Sequence, residues 1–367
     1  MTINFTELAN LGVQQLQPYQ PGKPVSELER ELGISGIVKL ASNENPLPLP
    51  ASVQESIQDE IAELARYPDA NGYYLKSALA ENLGVKPEQI TLGNGSNDVL
   101  DMVARTFVSP EHEIIFSEHA FVVYPIVTRT IGATAVVTKA REWGHDLSAM
   151  AEAITDKTRL IFIANPNNPT GTALAYEELK AFMHKVPPSV LVVVDEAYYE
   201  YVAHEWSSMV EQLVNYPNLV VTRTFSKAYG LAGLRVGYSV SNPEIAGLLN
   251  RIRQPFNNNN LALATAQAVL KDSQFLQDAL TVNREGMQTL TKKCDALGLT
   301  YIPSKGNFLT IDFKKNAQPV NDALLRSGVI VRPIANYGMP NHLRVSIGLE
   351  QENEKFMNQL PKALTHL

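Results

Sequence analysis

Short apolar runs rich in β-branched residues alternate with longer amphipathic segments along most of this chain. "QITLG", "EIIFSE", "TAVVTK", "RLIFIAN", "VLVVVDEA", "NLVVTRTFS" and "RVGYSVS" are nearly continuous in Val, Ile and Leu. That is the pattern of strands covered on both faces. Between them, residues 96–107, 147–154, 174–186 and 243–254 read as helices. The alternation predicts an α/β fold with a mostly parallel central sheet between helix layers.

The ends read differently. Residues 1–45 include "PYQPGKP" and lead into "ASNENPLPLP", a proline-rich, extended pattern expected of an arm partly joined to a smaller unit. After "PFNNNN" comes a long helical stretch over 261–297, then "GNFLTIDF", a helix, "GVIVRPI" and "HLRVSIG". Helices mixed with short strands predict a smaller α+β domain over 256–367, beside a large α/β domain over 46–255. The cleft between two such units is the expected place for a site.

Composition narrows the partners. The net charge of −7 over 367 residues disfavours nucleic acid. One cysteine, Cys294, excludes an internal disulfide, and the seven scattered histidines show no zinc-site spacing. The start lacks the basic and apolar regions of a secretory signal, and no apolar run approaches the ~20 residues of a membrane span. The expectation is a soluble, cytoplasmic protein with no bound metal and no membrane or nucleic-acid partner.

In open α/β sheets, ligands bind beyond the carboxyl ends of the strands, and four strands deliver polar residues there. In "QITLGNGSND", Gly93–Asn97 joins a strand to a helix start, where free backbone N–H groups favour an anion. Alone it is a tight turn with Ser96 as helix cap, and the third glycine of a dinucleotide fingerprint is missing. In "IANPNNPTG", Pro166, Pro169 and Gly171 predict a rigid loop holding Asn165, Asn167 and Asn168, neutral amides suited to a phenolate or carboxylate.

Third, "VLVVVDEAYYEY" ends its apolar run on Asp195, so its carboxylate needs a cation or hydrogen bonds. Alone it fits a structural ion pair equally well. Tyr198 is three residues on. Fourth, "TFSKAYGLAGLRVGY" carries Ser226, Lys227 and Arg235, with Gly230 and Gly233 expected to allow close backbone approach. Alone it reads as a surface loop with a solvated lysine.

Together the four fit one ligand with a phosphate, a cationic aromatic nitrogen and a carbonyl that reacts with an amine. Gly95, Ser96, Asn97, Ser226 and Arg235 would hold the phosphate. Asp195 would pair with the ring nitrogen, and Asn168 and Tyr198 would hold a ring oxygen. Lys227 would supply the amine. That ligand is pyridoxal 5′-phosphate.

"NPNNPTG", "DEAYYEY" and "TFSKAYGLAGLRVGY" resemble the signature of fold-type I pyridoxal-phosphate-dependent aminotransferases. Their separations agree: 27 residues from Asn168 to Asp195, 32 to Lys227 and 8 more to Arg235. Within that superfamily, "PYQPGKP", "LASNENPLP", "RYPDANGYYLKSALAENLGV" and "LRVSIG" resemble the histidinol-phosphate aminotransferases.

The resemblance implies a homodimer with shared active sites, in which Tyr67 reaches the cofactor phosphate of the other subunit. It also implies that Phe121 stacks on the cofactor, where many relatives have tyrosine. Arg344, Arg332 and Tyr19 would bind the substrates, a phosphorylated amine and a 2-oxo acid. At this point three alternatives stay open: an aromatic amino-acid aminotransferase, a threonine-phosphate decarboxylase of the same fold, and a cofactor-binding regulator without turnover.

Overall fold

The computed structural model describes residues 3–14, 16–18 and 22–367. Among the described residues, thirteen strands form three sheets. They are β1 (Val38–Lys39), β2 (Ile90–Gly93), β3 (Glu113–Ser117), β4 (Thr134–Thr138), β5 (Thr158–Ala164), β6 (Leu191–Asp195), β7 (Leu219–Thr224), β8 (Gly237–Ser241), β9 (Thr300–Ile302), β10 (Phe308–Asp312), β11 (Val329–Ile330), β12 (Arg332–Pro333) and β13 (His342–Ser346).

The large sheet has the order β2-β8-β7-β6-β5-β3-β4. From β7 to β4 every neighbouring pair is parallel, and only β8 runs against its neighbours. β2 therefore points the same way as β7. The carboxyl ends of β2, β5, β6 and β7 share one edge, which is where the polar residues of the four motifs emerge.

The inner strand runs are apolar because both faces are covered, whereas β4, expected to be covered likewise, is the edge of the sheet and leaves Thr134, Ala135 and Val137 exposed. Ile161, Ile163, Val192, Val194 and Val221 pack into one core with Val53, Leu75, Phe182 and Leu263. Leu160, Phe162, Val193 and Val220 pack into the other with Val99, Val103, Tyr124 and Leu249. The alternating residues of a single strand thus serve two cores.

A smaller antiparallel sheet, β12-β13-β10-β9, packs against helices Ser273–Ala296, Gln318–Arg326 and Glu350–Leu364. β1, from the arm, pairs in parallel with β11. The helical stretch expected over 261–297 is two helices, Asn260–Lys271 and Ser273–Ala296. Asp272 separates them, its side chain accepting from Phe275 N to cap the second. The first helix, expected with the smaller unit, buries Ala262, Leu263, Ala266 and Val269 in the large core. Among the described residues, no helix is long and apolar enough to cross a membrane.

Behind the site edge, β6 and β7 are tied by a buried ion pair. Arg223 Nε and NH2 donate to Glu196 Oε2 at 3.0 and 2.9 Å, and both residues are buried. Ser208 and the backbone N–H of Met209 satisfy the rest of the carboxylate. Arg223→Met would leave Glu196 buried without its cation, at a cost of about 3–5 kcal/mol. Urea unfolding of Arg223→Met, Glu196→Met and the double variant should show the double losing clearly less than the sum. Additive losses would mean that the two do not act as a pair.

Candidate active site

One cleft, with about 690 Å³ of open space, is lined by Ser96, Asn97, Phe121, Asn168, Asp195, Tyr198, Ser226, Lys227 and Arg235. Residues from four separate motifs converge because their strand ends lie side by side. Asp195 is opposite Ala164 on β5 and Thr222 on β7.

Asp195 follows Leu191–Val194, all buried, and is itself 4% exposed. Thr222 Oγ1 donates to Oδ1 at 2.9 Å and Tyr124 OH to Oδ2 at 3.0 Å. Burial pushes the carboxyl up to about 6, against the hydrogen bonds that favour the ion. Tyr124 is stacked on Phe162 at 4.5 Å, which fixes the phenol against the carboxylate. Neither Tyr124 nor Thr222 stood out in the sequence. A tyrosine in "FVVYP" and a threonine in an apolar strand read as core; strand register brings Thr222 to Asp195, and the packing of the helix Val123–Ile131 on the sheet brings Tyr124.

The β2 end and the Arg235 turn form a second cluster. Gly93 and Gly237 are register partners. A Cβ on Gly237 would lie 2.4 Å from Ser96 N, so the missing side chain lets the helix Ser96–Phe107 start directly over β8. Gly95 has φ +83°, and a Cβ there would meet Arg235 NH2 at 2.3 Å. Arg235 NH1 donates to Ser226 Oγ at 3.2 Å and to Ala232 O at 3.0 Å. A helix start, a hydroxyl and a guanidinium thus share one corner of the cleft, an arrangement that suits an anion. Gly230 has φ +71° and a close neighbour in Phe275, but Gly233 faces open space. The close approach expected at Gly233 is absent because its turn bulges away from other backbone.

Lys227 Nζ stands across from this corner, with Ser42 O at 3.3 Å and the Tyr198 ring centroid at 5.6 Å. Burial, reinforced by Arg344 and Arg235, lowers its amine to about 8. Tyr198 OH accepts from Asn43 Nδ2 at 2.9 Å, and burial raises the phenol to about 12, so it stays a donor near neutrality. Asn43 is a further residue that sequence reading missed.

Of the three loop asparagines, only Asn168 lines the cleft. Asn165 is closed on Leu174, donating to its carbonyl and accepting from its N–H. Asn167 donates to Thr170 and to His119 O. The peptide bonds Asn165–Pro166 and Asn168–Pro169 are both cis. Arg344, on β13, donates to Asn168 Oδ1 and to Ala41 O, so the smaller sheet reaches the cleft. Arg332 is its register partner on β12 and lines an adjoining groove with Arg129 and Lys23. Tyr67 lies apart from the cleft within one chain, 80% exposed and stacked on Phe256 at 4.4 Å. Tyr19 lies outside the described residues.

The family profile for aminotransferase class I and II matches residues 35–360. The chain is 60% identical over 360 residues to histidinol-phosphate aminotransferase 1 of Idiomarina loihiensis, covering 98% of each chain. It is 58% identical to histidinol-phosphate aminotransferase 1 of Mannheimia succiniciproducens, covering 99% of each. Among solved structures, the histidinol-phosphate aminotransferase of Sinorhizobium meliloti in complex with pyridoxal-5′-phosphate superposes with a TM-score of 0.90. That match is 28% identical and covers 97% of both chains.

The site itself costs stability. A lysine held near 8 when folded and at 10.5 when unfolded binds fewer protons in the native state between those values. Its penalty is therefore complete below pH 8 and fades as pH rises to 10.5. Because Lys227 borders an open cleft, solvent offsets part of the cost, leaving on the order of 2 kcal/mol. In ligand-free protein, Lys227→Met should be more stable than wild type by that amount at pH 7 and nearly equal at pH 10.5. Denaturant unfolding at the two values checks this, and a variant less stable at pH 7 would refute it.

Proposed function

Because the chain belongs to the class I and II aminotransferase family, we propose that it binds pyridoxal 5′-phosphate in this cleft. With it, the protein transfers an amino group between histidinol phosphate and 2-oxoglutarate, giving imidazole-acetol phosphate and glutamate. The observation that carries the chemistry is a single cleft holding a neutral-prone lysine, a dry carboxylate and an anion corner. The substrate assignment rests on the near-full-length likeness to proteins of that name. A place in the cytoplasm fits such a biosynthetic role.

The residues present fit the cofactor. A buried carboxylate pushed up to about 6 is satisfied by a cationic ring nitrogen, and Asp195 is that carboxylate. The helix start at Ser96 and Asn97, with Ser226 and Arg235, would take the phosphate. Phe121 lines the wall where a ring would lie, and Asn168 and Tyr198 OH stand where they can hold a ring oxygen. When bound, the cofactor supplies the electron sink that lets the substrate C–H bond break.

Lys227 does the proton work. An amine near 8 has a useful neutral fraction at neutral pH, so Nζ would hold the cofactor at its carbonyl carbon and, once the substrate amine has displaced it, take and return a proton. Tyr198, near 12, keeps its proton near neutrality and can donate it to a ring oxygen while accepting from Asn43. Arg344 and Arg332 face carboxylate or phosphate on the substrates, since a guanidinium fork matches either anion. One site then alternates between a phosphate monoester and a dicarboxylate, and ping-pong kinetics follow.

Cofactor-loaded protein mixed with histidinol phosphate, without an oxo acid, should convert the cofactor rapidly to its amine form. Phenylalanine and threonine phosphate should do so slowly. Preference for phenylalanine would keep the chemistry and move the substrate to an aromatic amino acid. Lys227→Ala should abolish the conversion, and surviving turnover would remove this lysine from the mechanism.

The shared site is part of the same proposal. Tyr67 stands on a surface with Ile61, Leu64, Tyr73 and Tyr74 also exposed, an apolar patch suited to a second copy of the chain. Sedimentation should find a dimer, and Tyr67→Phe should weaken cofactor retention several-fold. Unchanged retention would count against a phenol reaching the partner's phosphate.

A further inference from the structure

The asparagine run that begins at Asn257 has no evident role in the reaction, yet its side chains are highly ordered by contacts. It lies in the loop before the helix Asn260–Lys271. Asn257 Nδ2 donates to Leu92 O at 3.2 Å and to Asp98 Oδ2 at 2.8 Å. Asn258, 4% exposed, donates from Nδ2 to Gly93 O at 2.8 Å. Both carbonyls belong to the last two residues of β2, immediately before the turn that starts the helix at Ser96.

The Asp98 carboxylate also accepts from Asn94 N at 2.8 Å, in the first turn of that helix. An acidic group there suits the helix dipole, but it is a negative charge beside a corner built for an anion. Asn257 holds this carboxylate on the Asn94 side of the turn. Arg253 NH1 in turn donates to Asn257 Oδ1 at 2.8 Å. Amides suit the task because they grip carbonyls and a carboxylate while adding no charge that would compete for the anion.

We propose that Asn257 and Asn258 are positioning residues for the phosphate end of the cofactor. Their amides hold the Leu92–Asp98 turn in the shape that aims the backbone N–H groups at the helix start into the anion corner. Neither asparagine touches the ligand. This rests on the cofactor reading above, and the anion end alone should feel their loss.

The test compares two probes on cofactor-free protein: pyridoxal 5′-phosphate, and pyridoxal, which has the same ring and aldehyde but no phosphate. Asn257→Ala and Asn258→Ala should each raise the dissociation constant of the phosphorylated probe about tenfold. Pyridoxal binding and the thermal midpoint should stay within a factor of two and about two degrees of wild type. Equal losses for both probes, or unchanged affinity for the phosphorylated one, would overturn the proposal. Should the buried Asn258→Ala fail to fold, the half-buried Asn257→Ala decides the question on the same readout. Wild-type protein that binds neither probe would instead sink the cofactor reading, and this inference with it.

Discussion

The carboxylate of Asp195 is the charge around which the cleft is arranged. It stands at the end of four fully apolar strand residues, where burial favours its neutral form and pushes the carboxyl up to about 6. Its environment therefore has to supply donors from both sides. Thr222 comes from the neighbouring strand and Tyr124 from the helix layer beneath. The order β7-β6-β5 then sets what can stand beside it. The loop after β5 brings Asn168 on one flank, and the turn after β7 brings Ser226 and Lys227 on the other.

Lys227 stands among charges of both signs. Burial, helped by repulsion from Arg344 and Arg235, depresses its amine, and the Glu44 and Asp195 carboxylates oppose them. Anionic groups would relieve that repulsion, so the ligand-free protein carries a cost that the two apolar cores must offset. Under the function proposed above, activity and stability are set against each other at Lys227. The property that makes its amine reactive near neutrality is the same desolvation that penalises folding.

The segment that packs beside the Lys227 turn belongs to neither main sheet. Residues Ser42–Asn45 of the arm form it and are held on several sides: Asn43 N donates to Ser346 Oγ, Asn43 Nδ2 to Tyr198 OH, Asn45 Nδ2 to Ala228 O, and Ser42 O faces Lys227. Asn307, just before β10, donates to Asn43 O at 3.0 Å. A segment with almost no regular secondary structure thus joins the smaller sheet to the lysine turn. Its backbone ties to the smaller sheet, and its Asn43 and Asn45 amides tie to Tyr198 and Ala228.

The sequence by itself determined the alternation of strands and helices, the sheet edge at which the cleft opens, and the residue types found there. Those follow from local physics. Continuous β-branched runs must be covered on both faces, a carboxylate after such a run must be paired, and Pro and Gly fix turns wherever they stand. The break at Asp272 also had a local signal, an aspartate directly before a helix start, hidden inside a long apolar periodicity. Only the tertiary structure decided which partners meet. Asn165 and Asn167 close their own loop while Asn168 faces the cleft. Tyr124 and Thr222 serve Asp195, and Asn257 and Asn258 reach back 165 residues to Leu92 and Gly93. Such pairings depend on strand order, register and helix placement, which no short window of residue types encodes.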